Sequence, residues 1–247
     1  MQLPYVVSTN GPDMFPVPPR VKVCCIASEA EAALAVQMGA AAIGLVSRMP
    51  SGPGPIPEQR IREIAATVPP DIATFLLTCE TTAKPIIAQQ RLCRTNTLQL
   101  VDEVEPGVHE RLRDALPGIS IVQVIHVRDE DALRQSIAVS GVVDAILLDS
   151  GNPSLSTKIL GGTGRAHDWG MSRRVRDSVD VPVFLAGGLN PENVSKAIDQ
   201  VAPFGVDVCS GLRTNGELDE TKLADFMRAV HDSANSELSQ NVLHRAQ

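Results

Sequence analysis

The chain has 247 residues, 43% of them hydrophobic and 21% charged, with a formal net charge of −7. A chain of this size buries roughly 70 to 75% of its unfolded surface, so the composition excludes disordered and fibrous classes. No window gathers Lys and Arg onto one stripe and no apolar run reaches about 18 residues, so neither nucleic acid nor a membrane is an expected partner.

The first residues carry Pro4, Pro12, Pro16, Pro18 and Pro19 together with Asp13 and lack a basic start, which reads as a Pro-rich arm over 1–20 rather than a signal peptide. Eight short apolar, β-branched runs follow, at 21–27, 41–47, 72–80, 97–104, 120–127, 145–151, 182–188 and 205–212. Their spacing fits one strand plus one helix per unit. The intervening helices open on plausible caps: Ser28 before Glu29 and Glu31, Pro57 before Glu58, and Asn190 with Pro191 at the first helical position. Because the runs are nearly continuous in apolar residues, they read as parallel strands covered on both faces. Eight such units predict an α/β fold, a single-domain (β/α)8 TIM barrel over 21–233, with a polar tail at 234–247. A doubly wound open sheet is the alternative, since strand order cannot be read from one sequence. Nothing in the sequence fixes an oligomeric state.

The five cysteines, Cys24, Cys25, Cys79, Cys93 and Cys209, are odd in number, and the adjacent pair is awkward to bridge. That usage points to a reducing compartment, with the cytoplasm as the expected location. No CxxC pair or His-rich tract has metal-ligand spacing, so no metal site is expected.

In a barrel of this kind the active site is built at the C-terminal strand ends and the loops after them. Gly187 and Gly188 close strand seven and Ser210 and Gly211 follow strand eight. Bare backbone N–H groups at these positions suit a phosphate, although glycines also turn tight corners. Asp149 ends strand six, where partial burial would keep it protonated and suit it to donating a proton; a turn or cap role is the alternative. Cys24 shares a face with Lys22 by strand alternation, and a nearby cation favours thiolate, although a buried cysteine also serves as a small hydrophobe. The same alternation sends Cys25 toward the helix layer as packing, and Cys79, Cys93 and Cys209 read as packing too. Gly162 and Gly164, in the long connection after strand six, suit a lid over a ligand. Trp169 reads as a hydrophobic anchor for that loop or the next helix.

Taken in order, Lys22-Val23-Cys24, Leu147-Leu148-Asp149, the Gly161–Gly164 loop with Asp168-Trp169, the run from Ala186 to Val194, and Asp207 to Gly211 resemble the phosphoribosylanthranilate isomerase family of tryptophan biosynthesis. The likeness runs from about residue 20 to 230 and is strongest over 145–211. It implies a cofactor-free Amadori rearrangement of a phosphorylated sugar substrate, N-(5′-phosphoribosyl)anthranilate; a divergent barrel acting on another sugar phosphate, or a barrel that binds a phosphometabolite without turnover, is the alternative. Asp149 would be the general acid on the ribose ring oxygen and Cys24 the general base at C2′. Gly187, Gly188, Ser210 and Gly211 would hold the phosphate, and Asp207 would lie near the anthranilate; Lys22, Gly162 and Gly164 complete the expected substrate-binding set. Departures from the family pattern are also evident. Cys25 and Ala27 replace a glycine and a threonine, Val101-Asp102 replaces His-Gly, and Leu212-Arg213 replaces Val-Glu. The arginine of a Ser-Pro-Arg motif that grips the anthranilate carboxylate is missing at Ser51-Gly52-Pro53, leaving Arg48 and Arg165 as substitutes. A charge-assisted pair there would contribute about 1.5–3 kcal/mol.

Overall fold

The computed structural model describes residues 18–150 and 168–245. Eight strands alternate with helices: β1 (Arg20–Val23), α1 (Glu29–Gln37), β2 (Ala42–Val46), α2 (Glu58–Thr67), β3 (Ala73–Thr78), α3 (Ala83–Cys93), β4 (Thr97–Leu100), α4 (Val108–Ala115), β5 (Ser120–His126), α5 (Asp131–Ser140), β6 (Ala145–Asp149), α6 (Trp169–Ser178), β7 (Val183–Leu185), α7 (Val194–Val201), β8 (Gly205–Val208). A 3-10 turn (Ser210–Leu212), a small hairpin of β9 (Arg213–Thr214) and β10 (Glu217–Leu218), and the final helix α8 (Glu220–Arg245) complete the chain. All eight core strands are parallel and close on themselves through β1 and β8, so the barrel reading stands and the open sheet does not. Residues 234–245, expected as a tail, continue α8.

Alternation along each strand divides the apolar residues between two cores. Leu45, Leu76, Leu98, Ile121, Ile146, Leu185 and Val206 face outward and pack under the helices. Ala42, Phe75, Val122, Ala145 and Phe184 fill the barrel, with Phe75 and Phe184 edge to face at 6.1 Å between centroids. This dry plug closes the N-terminal half of the barrel and leaves the polar interior residues to its C-terminal half.

Local signals account for the helix starts. Ser28 caps α1 by accepting from Glu31 N at 3.1 Å, while the Glu31 carboxylate accepts from Ala27 N at 2.9 Å. Asp168 caps α6, accepting from Gly170 N at 2.8 Å. Helix α7 begins later than expected, at Val194 rather than Pro191. Asn190 and Asn193 bond reciprocally, each side chain accepting from the other's backbone N–H, and this Asx turn takes up the residues read as the first helical turn. Trp169, half-buried, packs on the outer core at the start of α6 as expected.

Candidate active site

A cavity opens at the C-terminal end of the barrel. Its wall includes Cys24, Gln99, Asp149, Gly187, Gly188, Asp207 and Ser210, with Met49, Ser51, Gly52 and Pro53 of the β2–α2 loop at its rim. Cys24, Asp149, Asp207, Gly187, Gly188 and Ser210, singled out from widely separated parts of the sequence, are therefore brought together.

Cys24 is buried and holds its place by extending the ladder, its N–H donating to Val208 O at 2.8 Å. Room for it comes from Gly44 on the neighbouring strand, where a Cβ would sit 2.6 Å from Cys24 Sγ and 3.0 Å from Lys22 Nζ. Directly below, the strand register sets Lys22 beside Asp207, and the two form a buried ion pair at 2.8 Å. Burial alone would lower the lysine pKa, but Asp207 and Cys24 together outweigh it and hold the ammonium charged. Lys22 is fully buried and does not line the cavity, so it supports the site from beneath rather than touching its contents. The expectation that Lys22 makes Cys24 a thiolate is corrected. Burial pushes the Cys24 thiol up to about 11, against the lowering effect of Lys22, part of whose charge is spent on Asp207.

Asp149 ends β6 across the cavity. Burial raises its pKa, in the direction expected for a proton donor, and outweighs the bond its Oδ1 accepts from Ser150 N at 2.6 Å and the nearby His126. The register pairs Asp149 with His126.

A backbone corner is formed by Gly187 and Gly188, with φ of 88° and 68°, facing Ser210 at the head of the 3-10 turn. Among the described residues, no backbone hydrogen bond runs from the N–H of Gly187 or Gly188. Asn193 Nδ2 donates to Gly188 O at 2.9 Å and fixes the turn. Gly211 stands behind the wall, pressed against Leu189 so closely that a Cβ would overlap its carbonyl oxygen.

Cys25 departs most from the sequence reading. Its φ is +63°, the left-handed region that costs a non-glycine residue of order 1–2 kcal/mol. The ladder runs through Cys24 to β8 and resumes with Ile26 N donating to Gly44 O at 3.0 Å, so this single residue breaks the alternation. Ile26 goes to the outer core, while Cys25 turns back to line the cavity, where it forms a disulfide with Cys209, Cα to Cα 5.9 Å. Neither cysteine is packing alone, and the reading of the cysteines as a wholly reduced set is corrected with them. Cys24 and Cys93 are free thiols.

Arg213, which in sequence stands out only as a departure from the family pattern, has a structural role. It is the hub of a part-buried cluster: its guanidinium pairs with Glu31 at 3.0 Å and donates to Cys25 O, to Cys24 O at 3.4 Å and to Gly216 O at 2.8 Å. Gln99 is a second residue outside the expected set. It is 3% exposed, lines the cavity, and its Oε1 is buried with no partner. A polar residue at an inward position of β4 was the signal available in the sequence. Arg48 is exposed and is not part of the cavity wall, and among the described lining residues there is no lysine or arginine. Gly162, Gly164 and Arg165 lie outside the described residues.

Together these features define an α/β barrel with a thiol and a carboxyl group lining one cavity beside a two-glycine corner at the mouth, and comparison with known proteins makes the class specific. The family model described as N-(5'phosphoribosyl)anthranilate (PRA) isomerase matches residues 21–229, and the chain belongs to that family. It is 32% identical over 212 residues to the N-(5'-phosphoribosyl)anthranilate isomerase of Methanocella arvoryzae, covering 85% of this chain and 97% of the relative. The corresponding protein of Halobacterium salinarum is 35% identical over 210 residues, covering 84% and 94%. Among solved structures, the phosphoribosyl anthranilate isomerase from Thermotoga maritima superposes with a TM-score of 0.73 at 30% identity, covering 87% of this chain and 99% of that one. Another phosphoribosyl anthranilate isomerase, in complex with reduced 1-(o-carboxyphenylamino)-1-deoxyribulose 5-phosphate, gives 0.70 at 28% identity with the same coverage. No described helix is long and apolar enough to cross a membrane.

Proposed function

We propose that the chain catalyses the Amadori rearrangement of N-(5′-phosphoribosyl)anthranilate to 1-(2-carboxyphenylamino)-1-deoxyribulose 5-phosphate, a step of tryptophan biosynthesis. The observation that carries the reading is that the family match spans the whole barrel while Cys24 and Asp149 line one cavity beside the Gly187–Gly188 corner.

Protonated Asp149 gives its proton to the ribose ring oxygen as the C1′–oxygen bond breaks and the anilinic nitrogen lone pair forms the C1′ iminium. The Cys24 thiolate then takes the C2′ proton, and the C–H electrons neutralise the iminium to give an enolamine. Transfer of one proton from O2′ to C1′ produces the ketone, and return of the proton from Cys24 to Asp149 closes the cycle. Each transfer by a placed group is worth about 10²–10⁴-fold. The resting ionisation favours a Cys24 thiol, so the competent form is a tautomer with its proton on Asp149 instead. Burial raises the Asp149 pKa and so favours the carboxylic acid that this tautomer requires, while Lys22 offsets part of the cost of its thiolate. The 5′-phosphate would be held by N–H groups of Gly187, Gly188 and Ser210, with Gly211 packed behind them.

The test is direct. Purified protein added to N-(5′-phosphoribosyl)anthranilate should abolish its fluorescence catalytically, with the deoxyribulose phosphate identified by mass spectrometry and NMR as sole product. Persistence of the fluorescence, with the protein folded, would reject the assignment.

A further inference from the structure

We infer that the Cys25–Cys209 disulfide, seconded by Arg213, is a positioning device for the Cys24 thiol, holding the residue after the base in a backbone conformation it would not keep unaided. The inference rests on the reading of Cys24 as the base.

Cys25 is the only residue between Cys24, whose N–H is bonded to β8, and Ile26, whose N–H is bonded to β2. Its φ of +63° therefore decides how the end of β1 is aimed. A side chain disfavours that region, and three contacts oppose the disfavour. The disulfide ties Cys25 to Cys209, the residue before Ser210, and so joins the wall that carries the base to the wall assigned to the phosphate. Arg213 donates to the carbonyls of both Cys25 and Cys24 and is itself anchored by Glu31. On the third side the β2–α2 loop closes down, with Gly54 so near that a Cβ there would stand 2.6 Å from Cys25 Cβ. Glycine would adopt the same φ without strain. The sequence instead keeps a cysteine and supplies a covalent tie, and that tie is one a dithiol can open: the disulfide is reduced to two thiols as the reagent closes to its own cyclic disulfide.

The experiment compares wild type, Cys209→Ser and the double variant Cys25→Gly/Cys209→Ser, each with and without dithiothreitol. It follows kcat, KM and, by mass mapping, the rate at which iodoacetamide alkylates Cys24. Cys209→Ser should lower kcat about ten- to hundredfold, the scale expected of a misplaced catalytic group, with KM within threefold of wild type. Its Cys24 should be alkylated at least threefold faster. The double variant should recover both parameters to within threefold of wild type, because glycine needs no tie. Reduction of wild type should reproduce the single variant and should leave the double variant unchanged, and this arm stands even if Cys209→Ser does not fold. The inference is overturned if reduced wild type keeps its kcat and its Cys24 alkylation rate, or if the double variant stays as impaired as the single one. If wild type shows no turnover at all, the reading of the base fails separately, and the alkylation rates still decide whether the tie sets the geometry of Cys24.

Discussion

Lys22 and Asp207 meet at 2.8 Å inside the barrel, with side chains 0% and 8% exposed, immediately below the Cys24 thiol. The pair carries two consequences. It lets a lysine be buried at full charge, and it divides that charge between a carboxylate and a sulfur. Lys22→Met leaves Asp207 unpaired in a dry site and should cost about 3–5 kcal/mol in denaturant unfolding. It also removes the group that lowers the Cys24 pKa, so alkylation of Cys24 at fixed pH should slow in the folded variant. Faster alkylation would mean that Lys22 does not act on the thiol.

The ionisation of Cys24 gives a second prediction. With the thiol pushed up to about 11, mass-mapped alkylation of Cys24 should accelerate about tenfold per pH unit between pH 7 and 10, without a plateau. kcat/KM should behave differently. Once the pH is above the Asp149 pKa, the singly protonated pair dominates, and its competent tautomer is a constant fraction until the pH approaches 11. Activity should then be level over the range in which alkylation climbs. An activity that climbs in parallel would show that free thiolate, not the tautomer, is the working species.

Gln99 lines the cavity and carries a buried, unpartnered oxygen. A group left unpaired in this way costs about 1–3 kcal/mol of stability. Gln99→Leu should therefore raise stability by about 1 kcal/mol while raising KM for N-(5′-phosphoribosyl)anthranilate several-fold, since the carboxamide is free to bond substrate. A destabilised variant with unchanged KM would show the carboxamide serving the fold instead.

The Glu31–Arg213 pair yields a prediction about pH and stability. Burial would raise the Glu31 pKa, but bonds from Arg213, Ala27 N and Leu218 N outweigh it and hold the carboxyl below its ordinary 4.5. A depressed carboxyl contributes stability that is present above its unfolded pKa and is lost as pH falls through its folded one. Glu31→Gln should thus be about 1 kcal/mol less stable than wild type at pH 7, after solvent screening, and the gap should narrow steadily as pH falls below 4.5 and Glu31 becomes protonated in the folded protein. A gap that does not change with pH would assign the loss to packing.

The barrel was legible because its signal is periodic and repeated: eight apolar runs, each trimmed by a few residues in the structure, account for β1 to β8. Cys24, Asp149 and the Gly187–Gly188 corner were legible because strand ends are where such folds carry chemistry. Cys25 was misplaced because alternation holds only while every residue keeps an extended backbone, and one left-handed residue reverses the faces beyond it. Its bond to Cys209 spans a sequence separation of 184 and depends on barrel closure, which no local pattern reports. The ionisation of Cys24 was misjudged for a similar reason. The cation beside it was visible, but Asp207, the competitor for that cation, is brought there only by the register of β1 on β8. Arg213, Glu31 and Leu218 likewise converge from three separate elements.

The most direct test of the account compares Cys24→Ala and Asp149→Asn with wild type in the fluorescence assay, with binding of reduced 1-(o-carboxyphenylamino)-1-deoxyribulose 5-phosphate measured alongside. The account predicts that each substitution lowers kcat by about a hundredfold or more while the affinity for that compound stays within an order of magnitude. Either variant turning over at a rate close to wild type would contradict it.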